Sequence, residues 1–162
     1  MENDIFWYRY IYPKNLTLFD QIKIVAPEIS LGGNFTIDSN GRYYSTTKVY
    51  GYVKKEGLPI SYEFLLGLLN SSLFWFYIQK TGYVLRGGYY TFKTNYVAPF
   101  PFPNYSNLPA EIVHSIESLV KEITKQKKIG GPDTTRIQIE LDKQICKLYD
   151  VDYNAICSAL SE

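Results

Sequence analysis

The side chains of this 162-residue sequence that could bind a charged partner are cations interleaved with tyrosine in the middle of the chain. Residues 31–100 contain seven Lys or Arg against three Asp or Glu, a net charge of +4, although the whole chain carries only +1. The whole chain contains 16 Tyr, whose amphipathic aromatic groups suit a surface that meets a partner. This segment has the right sign for phosphate contacts, and an ordinary solvated face has the same composition.

Motifs that mark catalysis or metal binding do not occur in the sequence. It contains no G-x-G-x-x-G, no P-loop, no H-E-x-x-H and no paired C-x-x-C. The single histidine, His114, lies one residue off an apolar helix seam, without a carboxylate or nucleophile at a spacing expected to pair with it. We therefore expect no catalytic residue, no metal site and no cofactor site in this chain.

The cysteines, the N-terminal residues and the apolar runs indicate the cellular compartment in which the protein is expected. Cys146 and Cys157 have no second pair to form a metal framework, so they are interpreted as small, reduced core residues of a cytoplasmic protein. The acidic start Met-Glu-Asn-Asp does not resemble a signal peptide. The longest apolar run, residues 64–78, is too short and too polar at its centre to span a bilayer, so no membrane contact is expected.

The first sixty residues are typical of short strands. Residues 22–25 and 48–54 have strand patterns, and residues 39–41, Ser-Asn-Gly, predict a hairpin turn between residues 35–37 and 42–45. A small sheet is therefore expected.

After this sheet the apolar period changes to that of a helix. Ser61 is a good N-cap for one helix that continues to Gly82, and its nearly uniform apolar circumference predicts a buried central helix. A turn at Gly87–Gly88 then precedes a predicted strand at residues 90–95. Residues 99–103, Pro-Phe-Pro-Phe-Pro, are expected to be an extended exit and a domain boundary.

The C-terminal part of the chain is predicted to be helical. Pro109 opens a helix that Gly130 ends, a capping box of Thr135 and Gln138 opens a second, and Asp152 caps a third. The first helix carries an apolar seam, which consists of Ile112, Ile116, Leu119 and Ile123. The predicted fold class is α+β: a small mixed or antiparallel sheet domain with one buried central helix over residues 1–105, followed by a helical arm or bundle over residues 106–162.

Several short blocks of sequence follow one another along the chain in an order that can be compared with known families. They are Lys-Ile-Val-Ala-Pro-Glu-Ile-Ser at 23–30, Val-Tyr-Gly at 49–51, Tyr-Glu-Phe-Leu-Leu-Gly-Leu-Leu-Asn-Ser at 62–71, Phe-Trp-Phe-Tyr at 74–77, Leu-Arg-Gly-Gly-Tyr-Tyr-Thr-Phe-Lys at 85–93 and the Pro-Phe-Pro exit. Over residues 10–105 the chain resembles the TaqI-like C-terminal specificity domain, and the helices that follow are similar to the spacer helices of such proteins. That domain is the target-recognition part of N6-adenine DNA methyltransferases and of fused type IIG restriction–modification enzymes.

The resemblance implies a division of labour. A separate methyltransferase domain would hold S-adenosylmethionine and carry an Asn-Pro-Pro-Tyr motif, which this chain lacks. The chain would be the recognition half alone, with double-stranded DNA and a catalytic methyltransferase or endonuclease domain or subunit as its partners. The alternative function is a protein interaction module that dimerises through the C-terminal helical seam.

For a chain that binds DNA, the residue types of its basic middle segment indicate which side chains would meet the DNA. They are polar, cationic or aromatic residues of the basic middle segment: Arg42, Tyr43, Ser45, Thr46, Thr47, Lys48, Arg86, Tyr89, Thr91 and Lys93. Because Arg86 belongs to the recurring pattern, we assign it to the fold or to a phosphate, and sequence readout to the hairpin and its loop. The structural alternatives are an ion pair for Arg86, sheet packing for the tyrosines and an ordinary turn for the Ser/Thr run.

Overall fold

The computed structural model describes residues 15–44, 47–131 and 133–161, and it confirms an α+β fold. The described elements, in chain order, are α1 (Leu16–Phe19), β1 (Lys23–Pro27), β2 (Ile29–Ser30), β3 (Thr36–Asp38), β4 (Val49–Tyr52), α2 (Tyr62–Leu69), α3 (Ser72–Thr81), β5 (Tyr90–Thr91), α4 (Thr94–Val97), a 3-10 turn (Tyr105–Asn107), α5 (Ala110–Lys128), α6 (Thr135–Leu148) and α7 (Tyr153–Leu160).

The strands form two small antiparallel sheets. In the first, β1 lies in the centre with β3 and β4 at its edges, and in the second β2 pairs with β5. Pro27 ends β1 opposite Val49, a position where its missing N–H is tolerated. The strands predicted at residues 22–25 and 48–54 are confirmed as β1 and β4.

The hairpin predicted around Ser39-Asn40-Gly41 is wrong in its second strand. The turn forms, with Gly41 at a φ of +60°, and β3 pairs with β1. Residues 42–44 are irregular because the carboxylate of Asp38 accepts the backbone N–H groups of Arg42 and Tyr43, at 3.1 and 2.9 Å. A side chain thus takes two donors that a strand ladder would have used.

The single helix predicted from Ser61 to Gly82 is two helices, α2 and α3. Ser61 caps α2 as predicted, because its hydroxyl accepts the N–H of Phe64 at 3.0 Å. Ser71 caps α3 in the same way, 3.1 Å from the N–H of Phe74. The side chain of Asn70 bonds both backbone groups of Phe35 at 3.0 Å, so the break between the helices is fixed by the strand region.

The strand predicted at residues 90–95 is shorter than expected. It ends at Thr91, and the N–H of Phe92 donates to the carbonyl of Glu28 at 2.7 Å. The carbonyl of Lys93 then accepts the N–H groups of Tyr96 and Val97, which starts α4.

The three predicted C-terminal helices are present as α5, α6 and α7, and Asp152 caps α7 through the N–H of Asn154 at 3.1 Å. The capping box at the start of α6 does not form. The hydroxyl of Thr135 donates to Asp133 instead, and the side-chain amide of Gln138 donates to Asp142. Thr134 is the residue at the N-cap position.

The C-terminal helices share one apolar core with the sheet region. Helix α5 packs on α2 and α6, and at Gly67 a Cβ would lie 3.0 Å from a methyl group of Val120, so the two helices approach closely at this glycine. The carboxylate of Glu117 accepts hydrogen bonds from Ser61 at 2.5 Å and Tyr105 at 3.2 Å. The division at residue 105 stays a prediction, and the two parts it names are tightly packed together.

The apolar seam of α5 is used inside the chain. Ile116 and Ile123 are buried, and Ile112 and Leu119 are half-buried against the same core. Dimerisation through this seam stays a prediction.

Candidate nucleic-acid interface

One extended segment, residues 23–31, connects the places where most of the predicted contact residues lie. It comprises β1, the bend at Glu28, β2 and Leu31. At its start, Lys23 bonds to Asp38, which precedes the loop with Arg42. In its middle, Glu28 lies near Lys48 and Lys93, and at its end, Leu31 lies beside the turn with Arg86. We call residues 23–31 the spine.

At the start of the spine, the loop of residues 39–44 packs against the turn between α1 and β1. A Cβ at Gly41 would lie 2.1 Å from the backbone oxygen of Asp20, so only glycine fits there. Tyr43 has 69% of its surface exposed, and Arg42 is exposed as well. The loop therefore presents a cation and an aromatic ring to solvent.

Tyr44 is a residue of this loop that the sequence reasoning missed. Its hydroxyl donates to the carboxylate of Asp20, and its ring centroid lies 5.2 Å from that of Phe19. The hydrogen bond to the Asp20 carboxylate raises the pKa of Tyr44. No sequence signal indicated this contact, because the partners are 24 residues apart.

In the middle of the spine, Glu28 brings together two predicted cations from distant parts of the chain. Its carboxylate oxygens lie 3.6 Å from the Nζ of Lys48 and 3.7 Å from the Nζ of Lys93. The side chains of Lys48 and Lys93 are 78% and 54% exposed, whereas that of Glu28 is only 14% exposed. Two solvent-facing ammonium groups therefore stand over one shielded carboxylate.

At the end of the spine a tight hairpin carries Arg86. The N–H of Leu85 donates to the carbonyl of Tyr89 at 2.6 Å, and Gly87 and Gly88 both have positive φ, at +86° and +78°. This confirms the predicted turn. Arg86 and Tyr89 are exposed, and a Cβ at Gly88 would lie 3.9 Å from the side chain of Leu31.

A family model described as the TaqI-like C-terminal specificity domain matches residues 5–102 of the sequence. The chain belongs to this family. A specificity domain is the target-recognition part of a restriction–modification enzyme, so the chain has a target-recognition role. This agrees with the resemblance stated from the sequence blocks.

Some predicted contact residues of the specificity domain do not lie on its surface or are not described. Thr91 is only 5% exposed, and its hydroxyl has no hydrogen-bond partner within the described structure. It cannot reach a ligand unless β5 moves. Thr47 is exposed beside Lys48, whereas Ser45 and Thr46 lie outside the described residues.

The single histidine, His114, lies on helix α5 with its side chain in solvent. His114 is 80% exposed, and its Nδ1 lies 3.8 Å from the carboxylate of Glu117, so the sequence expectation that it has no local carboxylate is wrong. In this i,i+3 pair the imidazole faces solvent, whereas the Glu117 side chain is only 14% exposed and also accepts hydrogen bonds from Ser61 and Tyr105. Within residues 15–44, 47–131 and 133–161 no three His, Cys, Asp or Glu come together as metal ligands. No helix in those same ranges is long and apolar enough to cross a membrane.

Proposed function

We propose that this chain recognises a specific sequence in double-stranded DNA for a restriction–modification methyltransferase or endonuclease. The observation that carries the proposal is the placement of exposed cations at the start, middle and end of the spine. Four predicted cations from two separate parts of the sequence, residues 42–48 and 86–93, lie along this one segment: Arg42, Lys48, Arg86 and Lys93.

The number of residues in the spine sets an upper limit on the length of duplex that it can follow. From Lys23 to Leu31 it can extend over at most about 29 Å. Since one base pair rises about 3.4 Å along the helix axis, this limit corresponds to at most about eight base pairs. A target of a few base pairs with flanking phosphates fits within that length.

Each group along the spine would have its own role. Lys48 and Lys93 would contact phosphates, since an ammonium group on a flexible stem binds phosphate without reading bases. Arg42 and Tyr43 would face base edges, because a guanidinium can bond guanine in a bidentate manner. Arg86 would contact a phosphate where the two glycines of its turn allow the backbone to approach DNA closely.

The remaining chemistry would come from a partner. We place S-adenosylmethionine and the transfer of a methyl group to adenine N6 in a catalytic domain, either a separate subunit or the rest of a fused type IIG enzyme. Residues 1–105 would read the target, and residues 106–162 would connect to that domain. The free thiols of Cys146 and Cys157 fit the reducing cytoplasm in which such a system acts.

The test is a fluorescence-anisotropy titration of the full chain against a randomised duplex pool at two salt concentrations. We expect binding that weakens with salt, and a variant with Arg86→Ala and Lys93→Ala whose log–log salt slope is less negative by about 1.8, or about 0.9 for each lost phosphate contact. The matched control removes two exposed cations of α5, Lys121→Ala and Lys125→Ala, and should bind like the wild type.

Two results would contradict the proposal. One is the absence of binding at low salt both for the chain alone and with its catalytic partner. The other is an equal loss of affinity in the two double variants, which would show that any two surface cations contribute equally.

A further inference from the structure

The start of the spine contains a buried ion pair. Because both side chains are shielded from solvent, direct contact with a ligand is not the reason for its presence. The Nζ of Lys23 lies 2.6 Å from Oδ2 of Asp38, and the two side chains are 1% and 2% exposed. The same Nζ donates to the carbonyl of Phe19 at 2.6 Å. The pair therefore ties together α1, β1 and β3 below the surface.

Stability alone is a weak reason for such a pair. Removing two charges from water is costly, and well-packed apolar residues of similar volume are often as stable or more stable. Buried ion pairs can instead fix one arrangement among several of similar energy.

The arrangement that this pair fixes is the loop of residues 39–44. Asp38 accepts the N–H of Arg42 through Oδ1 and the N–H of Tyr43 through Oδ2, so the backbone of both residues is bonded to the partner of Lys23. The side chains of Arg42 and Tyr43 then point away from this anchor, into solvent.

We propose that Lys23 and Asp38 are positioning residues, which hold the loop of residues 39–44 in one conformation and so present Arg42 and Tyr43 in a fixed geometry. The consequence for sequence selectivity rests on the proposed function, whereas the ordering of the loop does not. Neither side chain touches the ligand.

Hydrogen exchange of backbone amides tests the ordering directly. Asp38→Asn removes the charge that pairs with Lys23 and leaves a single acceptor oxygen. At least one of the N–H groups of Arg42 and Tyr43 should therefore exchange at least tenfold faster than in the wild type, while those of α5 and α6 keep their protection. The matched control is Asp142→Asn, which alters another buried carboxylate that accepts a backbone N–H, from Ser72 at 3.1 Å. It should leave the exchange of Arg42 and Tyr43 unchanged.

A second variant covers the case in which Asp38→Asn does not fold. Lys23→Met combined with Asp38→Leu replaces the pair with apolar side chains and removes the acceptors of both loop N–H groups. We expect a folded protein in which Arg42 and Tyr43 both lose protection. A folded double variant whose loop stays as protected as in the wild type would overturn the proposal.

The role of the ion pair in recognition is tested by measuring the sequence selectivity of DNA binding. A target sequence is selected from the duplex pool with the wild-type chain, and the ratio of its affinity to that of the random pool is compared between proteins. In the positioning variants the ratio should fall at least tenfold with affinity for the random pool within about twofold. An unchanged ratio would contradict the role in recognition. If the wild type binds no DNA, the proposed function fails, and the exchange experiment still decides whether the pair orders the loop.

Discussion

At the scale of single residues, two glycines with nearly the same φ allow the cost of a left-handed backbone to be measured separately from the cost of a steric clash. Gly41 and Gly130 have φ of +60° and +61°. A Cβ at Gly41 would lie 2.1 Å from the backbone oxygen of Asp20, whereas a Cβ at Gly130 would have no atom within 4 Å. Gly130→Ala should cost about 1–2 kcal/mol of unfolding free energy from the left-handed conformation alone. Gly41→Ala should cost at least about 1 kcal/mol more. Urea denaturation measures both, and equal losses would contradict the tight contact with Asp20.

Asp38 and Asp142 are two buried carboxyls whose pKa values shift in opposite directions. Burial raises the pKa of each, but at Asp38 the hydrogen bonds from Lys23 and from the N–H groups of Tyr43 and Arg42 outweigh it and hold the pKa far below its usual range. At Asp142, which lacks a cation among its hydrogen-bond partners, burial dominates and the pKa is raised. The ammonium of Lys23 and the second backbone N–H at Asp38 account for the difference.

These shifts predict opposite effects of pH on stability. A carboxyl with a lowered pKa in the folded state stabilises the protein above the unfolded pKa of about 3.9 and loses that contribution as pH falls. Asp38→Asn should therefore cost on the order of 3 kcal/mol at pH 7 and progressively less below about pH 4. For Asp142→Asn, stability relative to the wild type should instead improve as pH rises. Denaturation from pH 3 to 7 checks both, and a cost of Asp38→Asn that does not vary with pH would contradict the assignment.

At the scale of elements, the sequence predicted the features that depend on the local spacing of apolar residues and on helix caps. It missed the features that depend on contacts between residues distant in sequence. The apolar spacing of α5 and α6 and the cap at Ser61 are local features, and all are confirmed. The Asn-Gly turn signal was also local, yet the strand expected after it is absent, because Asp38 bonds to Lys23 and to the loop. That competition depends on β1 lying beside β3, which no short-range pattern reports.

At the break between α2 and α3, the buried hydroxyl of Ser71 caps the second helix. Ser71 is 1% exposed, and its Oγ accepts the N–H of Phe74 and donates to the carbonyl of Leu68 at 2.7 Å. Ser71→Ala should cost about 1 kcal/mol or slightly more, the usual loss for an N-cap. The control is Ser118→Ala on the exposed face of α5, where the change should stay within about 0.5 kcal/mol. Urea denaturation of both variants measures the difference, and a cost for Ser71→Ala no larger than that of the control would show that the bonds of Asn70 to Phe35 and of Asp142 to Ser72 hold the break without this hydroxyl.

At the scale of the whole molecule, the charge distribution was visible in the sequence but its geometry was not. The net charge of +4 over residues 31–100 predicted a basic segment. The meeting of Lys48 and Lys93 at Glu28 depends on the pairing of β4 with β1 and of β5 with β2, which places residues 45 positions apart on one carboxylate. Strand order of this kind is set by the packed core, so composition could predict the cations of the site without locating them.

This carboxylate gives the most direct test of whether the middle of the spine meets DNA. The Glu28 side chain offsets part of the charge of Lys48 and Lys93, and it would repel a phosphate brought close to them. Glu28→Gln should therefore tighten binding to duplex DNA about two- to fivefold at low salt, equivalent to roughly 0.5–1 kcal/mol. The gain should shrink as salt rises, because screening weakens interactions between exposed charges.

The control for this experiment is Glu122→Gln, which removes an exposed carboxylate from α5 and should leave affinity unchanged. Anisotropy titrations of both variants against one duplex at two salt concentrations supply the comparison. Unchanged affinity in Glu28→Gln would place the DNA away from Lys48 and Lys93. Weaker binding would show that the carboxylate is needed to orient the two ammonium groups, and that their orientation matters more than the charge it removes.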